Sequence, residues 1–187
     1  VRFPETLEVI GNRAFEGCDK LREIILPKNV KTIKRWAFKQ CKSLEIIELN
    51  DGLEKIEEVA FAETKIKSIS IPDSVKTIGD YAFKSCSRLT SVNITDIAAW
   101  CSISFVEYQS SPLDYAHNLY LNGKLVTDLV IPDSVTTIGR YAFLGCSSLT
   151  SVTIPDSVTT IEEQAFRGCS SLTSVTIGDS VTTIREY

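Results

Sequence analysis

Six cysteines and a single histidine are the residues whose chemistry has to be accounted for first. A thiol beside an imidazole is the simplest nucleophile–base pair, and with one histidine it would have to be Cys101 with His117. Their spacing puts them on no common element, and no nucleophile signature surrounds Cys101. One histidine and no CxxC pair also argue against a zinc site. The other five cysteines, Cys18, Cys41, Cys86, Cys146 and Cys169, each stand three residues after a phenylalanine: Phe15, Phe38, Phe83, Phe143 and Phe166. Thiols at one fixed place of a recurring unit stack as a ladder. Their parallel Cβ vectors are poorly aimed for disulfides, and free Cys packs as a small hydrophobe. The triplet Asn93-Ile94-Thr95 matches a glycosylation acceptor but arises from a Ser/Thr-rich strand pattern, and no phosphate-binding glycine motif occurs. The expectation is a chain with no catalytic residues, no metal and no cofactor.

What positions these residues is a repeat. Ala-Phe recurs at Phe15, Phe38, Phe61, Phe83, Phe143 and Phe166, at intervals of 23, 23, 22, 60 and 23 residues, the 60 being one turn of 23 and one of 37. Leu149, Val152, Ile154, Val158, Ile161, Ala165, Phe166 and Cys169 define one unit, and Leu21, Ile24, Leu26, Val30, Ile33, Ala37, Phe38 and Cys41 fill the same frame. Within LTSVTIP (149–155), Val152 and Ile154 are two apart, as a strand with one buried face requires. Proline then ends the strand, because it cannot donate to a ladder. Asp-Ser suits the turn that follows. SVTTI is a second extended piece, and RYAFLGC returns the chain through a short helical or 3₁₀-like turn.

One such unit cannot bury enough apolar surface to order itself, so neighbouring turns must stack, with strands about 4.8 Å apart. The chain is expected to form one solenoid over 1–187 with about eight turns, two of them partial, giving a rod roughly 35–40 Å long. It begins and ends mid-repeat and contains no Met, so it is expected to be a fragment of a longer protein.

The recurring Pro, Ala-Phe and Cys of LTSVTIPDSVTTIGRYAFLGC resemble the BspA-type leucine-rich repeat, and the likeness covers essentially all of 1–187. Thr64 in place of Cys and Gly178 in place of Pro depart from the pattern without disturbing the frame. The resemblance implies an α/β, mostly β, right-handed leucine-rich-repeat solenoid. It also implies a secreted or cell-surface protein that binds other proteins, for example host matrix proteins such as fibronectin or fibrinogen, or other cells.

Composition fits a soluble surface: 24% of residues are charged, the net charge is -4, and no apolar run spans a bilayer. Residues 1–88 carry 16 Lys/Arg against 14 Asp/Glu, and residues 89–187 carry 4 against 10. Lys28, Lys31, Lys34, Arg35, Lys39 and Lys42 cluster, but interleaved acids favour a solvated face over a nucleic-acid stripe. A monomer is expected, with protein partners, no nucleic acid and no membrane span.

Two regions are candidates for recognition. The outward strand positions are varied near the N-terminus, with Glu23, Ile25, Ile46 and Glu48, and become a plain Ser/Thr series later on. The long turn 89–125 is rich in aromatic residues and offers Tyr108, Tyr115, His117 and Tyr120. Its Asn122-Gly123 pair predicts a hairpin over 119–126, and Asp96 predicts a helix cap. The long turn can equally serve as packing between two blocks of repeats. A plain stalk that carries another domain is the alternative function, and an enzyme built on the long turn is the second. In the near-identical copies 131–152 and 154–175, only Gly139, Arg140, Tyr141 and Leu144 differ from their counterparts. These lie around the Ala-Phe segment, which is expected to face solvent.

Overall fold

The computed structural model describes residues 1–186 and, within them, every side chain but that of Tyr108. Each turn contributes two short extended pieces. In the first block these are β1 (Val9–Ile10), β2 (Glu23–Ile25), β3 (Thr32–Ile33), β4 (Ile46–Glu48), β5 (Lys55–Ile56), β6 (Ser68–Ser70), β7 (Thr77–Ile78) and β8 (Ser91–Ile94). The long turn adds α1 (Ile97–Cys101), β9 (Ser104–Phe105), a 3₁₀ turn at Tyr108–Ser110, α2 (Leu113–Ala116), β10 (Leu119–Leu121) and β11 (Lys124–Leu125). The second block follows with β12 (Asp128–Val130), β13 (Thr137–Ile138), β14 (Ser151–Ile154), β15 (Thr160–Ile161), β16 (Ser174–Ile177) and β17 (Thr183–Ile184). The result is a mostly-β solenoid with little helix.

Even-numbered strands form one wall and most odd-numbered strands the other. Pairing is parallel and in repeat register, as in Ile24↔Ile47, Ile33↔Ile56 and Val152↔Val175. The inward residues of both walls close one continuous core, in which Ile24, Val30, Ile33, Phe38, Leu53, Ile78 and Phe143 are fully buried. The Ala-Phe rings stack along the rod: Phe15–Phe38 at 5.3 Å, Phe38–Phe61 at 5.5 Å, Phe61–Phe83 at 5.6 Å, and Phe143–Phe166 at 5.2 Å. Between the two stacks, Trp100 and Phe105 meet edge to face at 5.3 Å.

The return segments are turns rather than helices, for a reason visible in their hydrogen bonds. Ala14, Glu16 and Cys18 donate back three residues, as in a 3₁₀ turn. The intervening Arg13, Phe15 and Gly17 donate instead to Arg35, Ala37 and Lys39 of the next turn. Half of the donors thus leave the segment, so no helix can propagate. The alternation puts the residue two before each Phe in the left-handed region: Arg13, Trp36, Val59, Tyr81, Tyr141 and Gln164, with φ from 54° to 61°. A β-branched Val59 at φ 60° is a strained choice that the inter-turn bonds must hold in place.

The cysteine ladder has a specific bond to explain it. Cys41, Cys86 and Cys169 donate their thiols to the carbonyls of Phe15, Phe61 and Phe143, one turn back, at 3.0, 3.2 and 3.2 Å. Thr64, buried where Cys would stand, is 3.3 Å from the Cys86 sulfur. All six cysteines are free, and Cys18 is exposed rather than inside, because only one turn packs against its own.

Charges are matched between turns. Lys31–Glu54, Lys34–Glu57, Arg35–Glu58, Lys39–Glu16, Arg140–Glu163 and Arg185–Glu162 all join residues one repeat apart. Four of the six basic residues clustered near the N-terminus are therefore spent on neighbouring acids. Identical charges stacked at strand spacing would repel, so copies of the repeat vary there in complementary fashion.

The regular alternation of walls fails once. The turn that starts with β10 has a strand on the first wall and none on the second. Its chain reverses instead through Asn122 (φ 50°) and Gly123 (φ 77°), a type I′ turn, into β11, which pairs antiparallel with β10. Consequently β9 ends one five-stranded sheet and β13 begins a separate three-stranded one.

Candidate interaction face

The outward side of the first wall is built by alternation alone. In β2 and β4 the central Ile24 and Ile47 point in, so their neighbours point out. Register places Glu23 opposite Ile46 and Ile25 opposite Glu48, a two-by-two patch in which acid and isoleucine alternate on the diagonals. Ile25 and Ile46 are each 51% exposed, well beyond what packing of the fold requires. Beside the patch, Lys67 donates to Glu45 at 2.8 Å and Arg88 approaches at 3.3 Å, which holds the Glu45 carboxyl below its usual range.

Further along the same wall the face continues through Ser68 and Ser70 to Ser91 and Asn93. The Asn93 amide donates to the Ser68 hydroxyl at 2.8 Å, so the glycosylation triplet has its side chain engaged between strands. Tyr120 lies next in line, paired with Asn93 in register. The structure thus places Glu23, Ile25, Ile46, Glu48 and Tyr120 on one face. Val130 on β12, 65% exposed, belongs to it too and escaped the sequence reading. The signal was present: Val130 stands two before Pro132, in the place Thr153 holds before Pro155. On β14 and β16 the face reduces to Ser151, Thr153, Ser174 and Thr176, and Ser151 and Thr127 bond the Asp128 carboxylate and lower its pKa.

The other candidates from the long turn do not join this face. His117 closes α2 in a left-handed conformation (φ 63°), and its Nδ1 is 3.1 Å from the Gly145 carbonyl of the next return segment. Tyr115 is partly buried against the core. The candidate contact Tyr108 lies outside the residues whose side chains are described.

Cys101 is buried in α1, and its thiol is pushed up to about 12 by burial and by nearby Asp96. It faces the core while His117 docks on Gly145, so the two do separate structural jobs. Among the described residues, no group of three or more His, Cys, Asp or Glu is arranged to hold a metal ion, and no helix is long and apolar enough to cross a membrane.

The long turn is instead docked tightly on the second block. Asp96 caps α1 by accepting from the Ala98 and Ala99 amides at 2.6 and 3.1 Å. Buried Trp100 donates its indole N–H to the Ala142 carbonyl at 2.8 Å, and the Gly139 amide donates to the Cys101 carbonyl at 3.1 Å. A Cβ on Gly139 would meet that Cys101 oxygen at 2.6 Å. This corrects the expectation that Gly139, Arg140, Tyr141 and Leu144 all face solvent; Arg140 alone keeps much of its side chain exposed, at 40%. Tyr141 and Leu144 are 2% and 3% exposed, because the long turn covers the first return segment of the second block.

The sequence pattern of the BspA type leucine rich repeat region matches residues 1–110 and 116–187, in six copies. The chain belongs to the BspA type leucine-rich repeat family. Among solved structures it resembles a leucine rich cell surface protein of Faecalibacterium prausnitzii, with TM-score 0.52 and 26% identity over 91% of this chain. A leucine rich repeat protein of T. pallidum matches 95% of the chain at 28% identity with TM-score 0.49, and the pneumococcal vaccine antigen PcpA matches 94% at 19% with TM-score 0.46. The chain spans 45%, 67% and 57% of those three proteins. No curated protein matches it.

Proposed function

We propose that this chain is a non-enzymatic protein-binding module of a secreted or cell-surface protein, and that it serves adhesion by engaging extracellular matrix or cell-surface proteins. The observation that carries the reading is the pair Ile25 and Ile46, held outward and half exposed on a rigid strand wall between Glu23 and Glu48. An apolar pair ringed by charge is a recognisable anchor for a protein partner. Family membership and the likeness to a protein described as a cell surface protein support the extracellular setting.

The test is solution binding of the whole chain to a panel that includes fibronectin and fibrinogen. Saturable binding to at least one member, weakened about tenfold by Ile25→Glu with Ile46→Glu, is the expected outcome. No saturable binding anywhere in the panel would instead favour a spacer. The monotonous Ser/Thr face of β14 and β16 is the feature that suits that second reading.

A further inference from the structure

The failed alternation of the walls leaves a cleft of about 700 Å³ where the absent second-wall strand would lie. On one side is the stretch Ser102–Val106, whose residues alternate strictly between exposed and buried. On the other is the edge of β13. The amides of Ser104 and Val106 are spent on the carbonyls of Lys76, just before β7, and of Ile78 within it, so in a parallel ladder the peptide groups of Phe105 turn the other way, toward the cleft. Across it, β13 meets the other side at its end, where Gly139 donates to the Cys101 carbonyl and lies close to that of Ile103, while Thr137 lines the cleft. Ile103, Phe105 and Val135 supply an apolar floor, and Val106, 46% exposed, sits at the rim.

Charge along this wall says what kind of strand fits. The residue two beyond the second strand of each turn forms a column: Arg35, Glu58, Asp80, Glu107, Arg140 and Glu163. Arg35 pairs with Glu58 and Arg140 with Glu163. Asp80 and Glu107 stand side by side with no ion pair among the described residues, and the gap in the column falls directly after Glu107. Across the gap Arg140 feels Glu107 but is already paired with Glu163, so Asp80 and Glu107 leave an excess of negative charge that a further basic side chain would match.

We propose that this cleft is a strand-addition site, taking from a partner protein an extended segment of alternating β-branched residues followed by Lys or Arg. The segment would pair its main chain with β9, bury an alternate side chain over Phe105, and set its basic residue against Glu107 and Asp80. This chain's own Thr32-Ile33-Lys34-Arg35 has that form and makes those contacts in its own turn. The inference rests on the protein-binding reading but concerns a different surface from Ile25 and Ile46.

A labelled peptide with the sequence of residues 28–36, KNVKTIKRW, is the probe, titrated against the whole chain and followed by fluorescence anisotropy and amide exchange. Saturable binding is expected, with new protection at Phe105 and Thr137. Val106→Lys and Asp80→Lys, each on an exposed or rim position, should weaken it about tenfold, as should replacing the peptide's last Lys-Arg by Glu-Glu. Absence of saturable binding, equal binding of a scrambled peptide, or indifference to both variants overturns the proposal. So does a concentration-dependent dimer of the chain alone that Val106→Lys abolishes, since the occupant would then be a second copy. If the peptide fails to bind while matrix binding persists, the cleft fails and the strand face stands. Loss of matrix binding in the Ile25/Ile46 variant with intact peptide binding separates the two the other way.

Discussion

Where Cys41, Cys86 and Cys169 end a return segment inside the rod, the thiol is there to be buried and to donate. The thiol of Cys41 reaches the Phe15 carbonyl, and burial pushes its pKa from 9.0 to about 11; the same cause takes Cys86 to about 11 and Cys169 to about 12. The consequence for stability has a definite sign. Below pH 9 these thiols are protonated in both the folded and unfolded chain, so they contribute their full share. Above it the unfolded chain sheds protons that the folded chain retains, and stability falls as pH rises through 9 toward 11–12. Urea midpoints measured at intervals from pH 8 to 10.5 should hold level and then decline, and Cys169→Ala should decline less steeply. A midpoint independent of pH across that window would contradict the burial account. Alkylation of the native chain should modify exposed Cys18 rapidly and the five buried thiols only after unfolding.

Among the elements, α1 carries more than its five residues suggest. Trp100 is 1% exposed, fills the gap between two phenylalanine stacks, and bonds the second block through Ala142. In a repeat protein each turn is stabilised by its neighbours, so the joint between blocks sets whether they unfold together. Trp100→Ala should cost about 3–5 kcal/mol and split thermal unfolding into two transitions, which calorimetry would resolve. A single transition with unchanged midpoint would mean the blocks are coupled elsewhere. The strand lattice was legible in the sequence because Val, Ile and Leu recur at inward places with a fixed period and Pro marks each strand end. The 3₁₀-like return segments were legible too, but not their left-handed places, which hold Arg13, Trp36, Val59 and Tyr81, none of them a residue that announces positive φ. The missing second-wall strand was hidden as well. Of the long turn the sequence announced only the Asp96 cap and the hairpin, and which neighbour β9 lacks depends on how 37 residues are shared between the walls.

On the scale of the whole molecule, constancy and variation have separate causes. The constant residues are the inward lattice. The changing ones match charges between turns, as Arg140 with Glu163 does, pack under the long turn, as Tyr141 and Leu144 do, or line the outward face. Glu23, Ile25, Ile46 and Glu48 were singled out in the sequence because outward places there depart from Ser/Thr. Tyr120 belongs with them only through the β8–β10 register, and His117 leaves the group because α2 turns it toward Gly145. If the lattice is scaffold and the face is where a partner is read, the two are separable. The decisive measurement is a graft: Glu23→Ser, Ile25→Thr, Ile46→Ser and Glu48→Thr together, copying the face of β14 onto β2 and β4. Melting temperature should stay within about 3 °C of the parent, because each change is on the surface. Affinity for the matrix protein bound by the parent should fall at least about tenfold. Undiminished binding by a graft that melts like the parent would contradict the account.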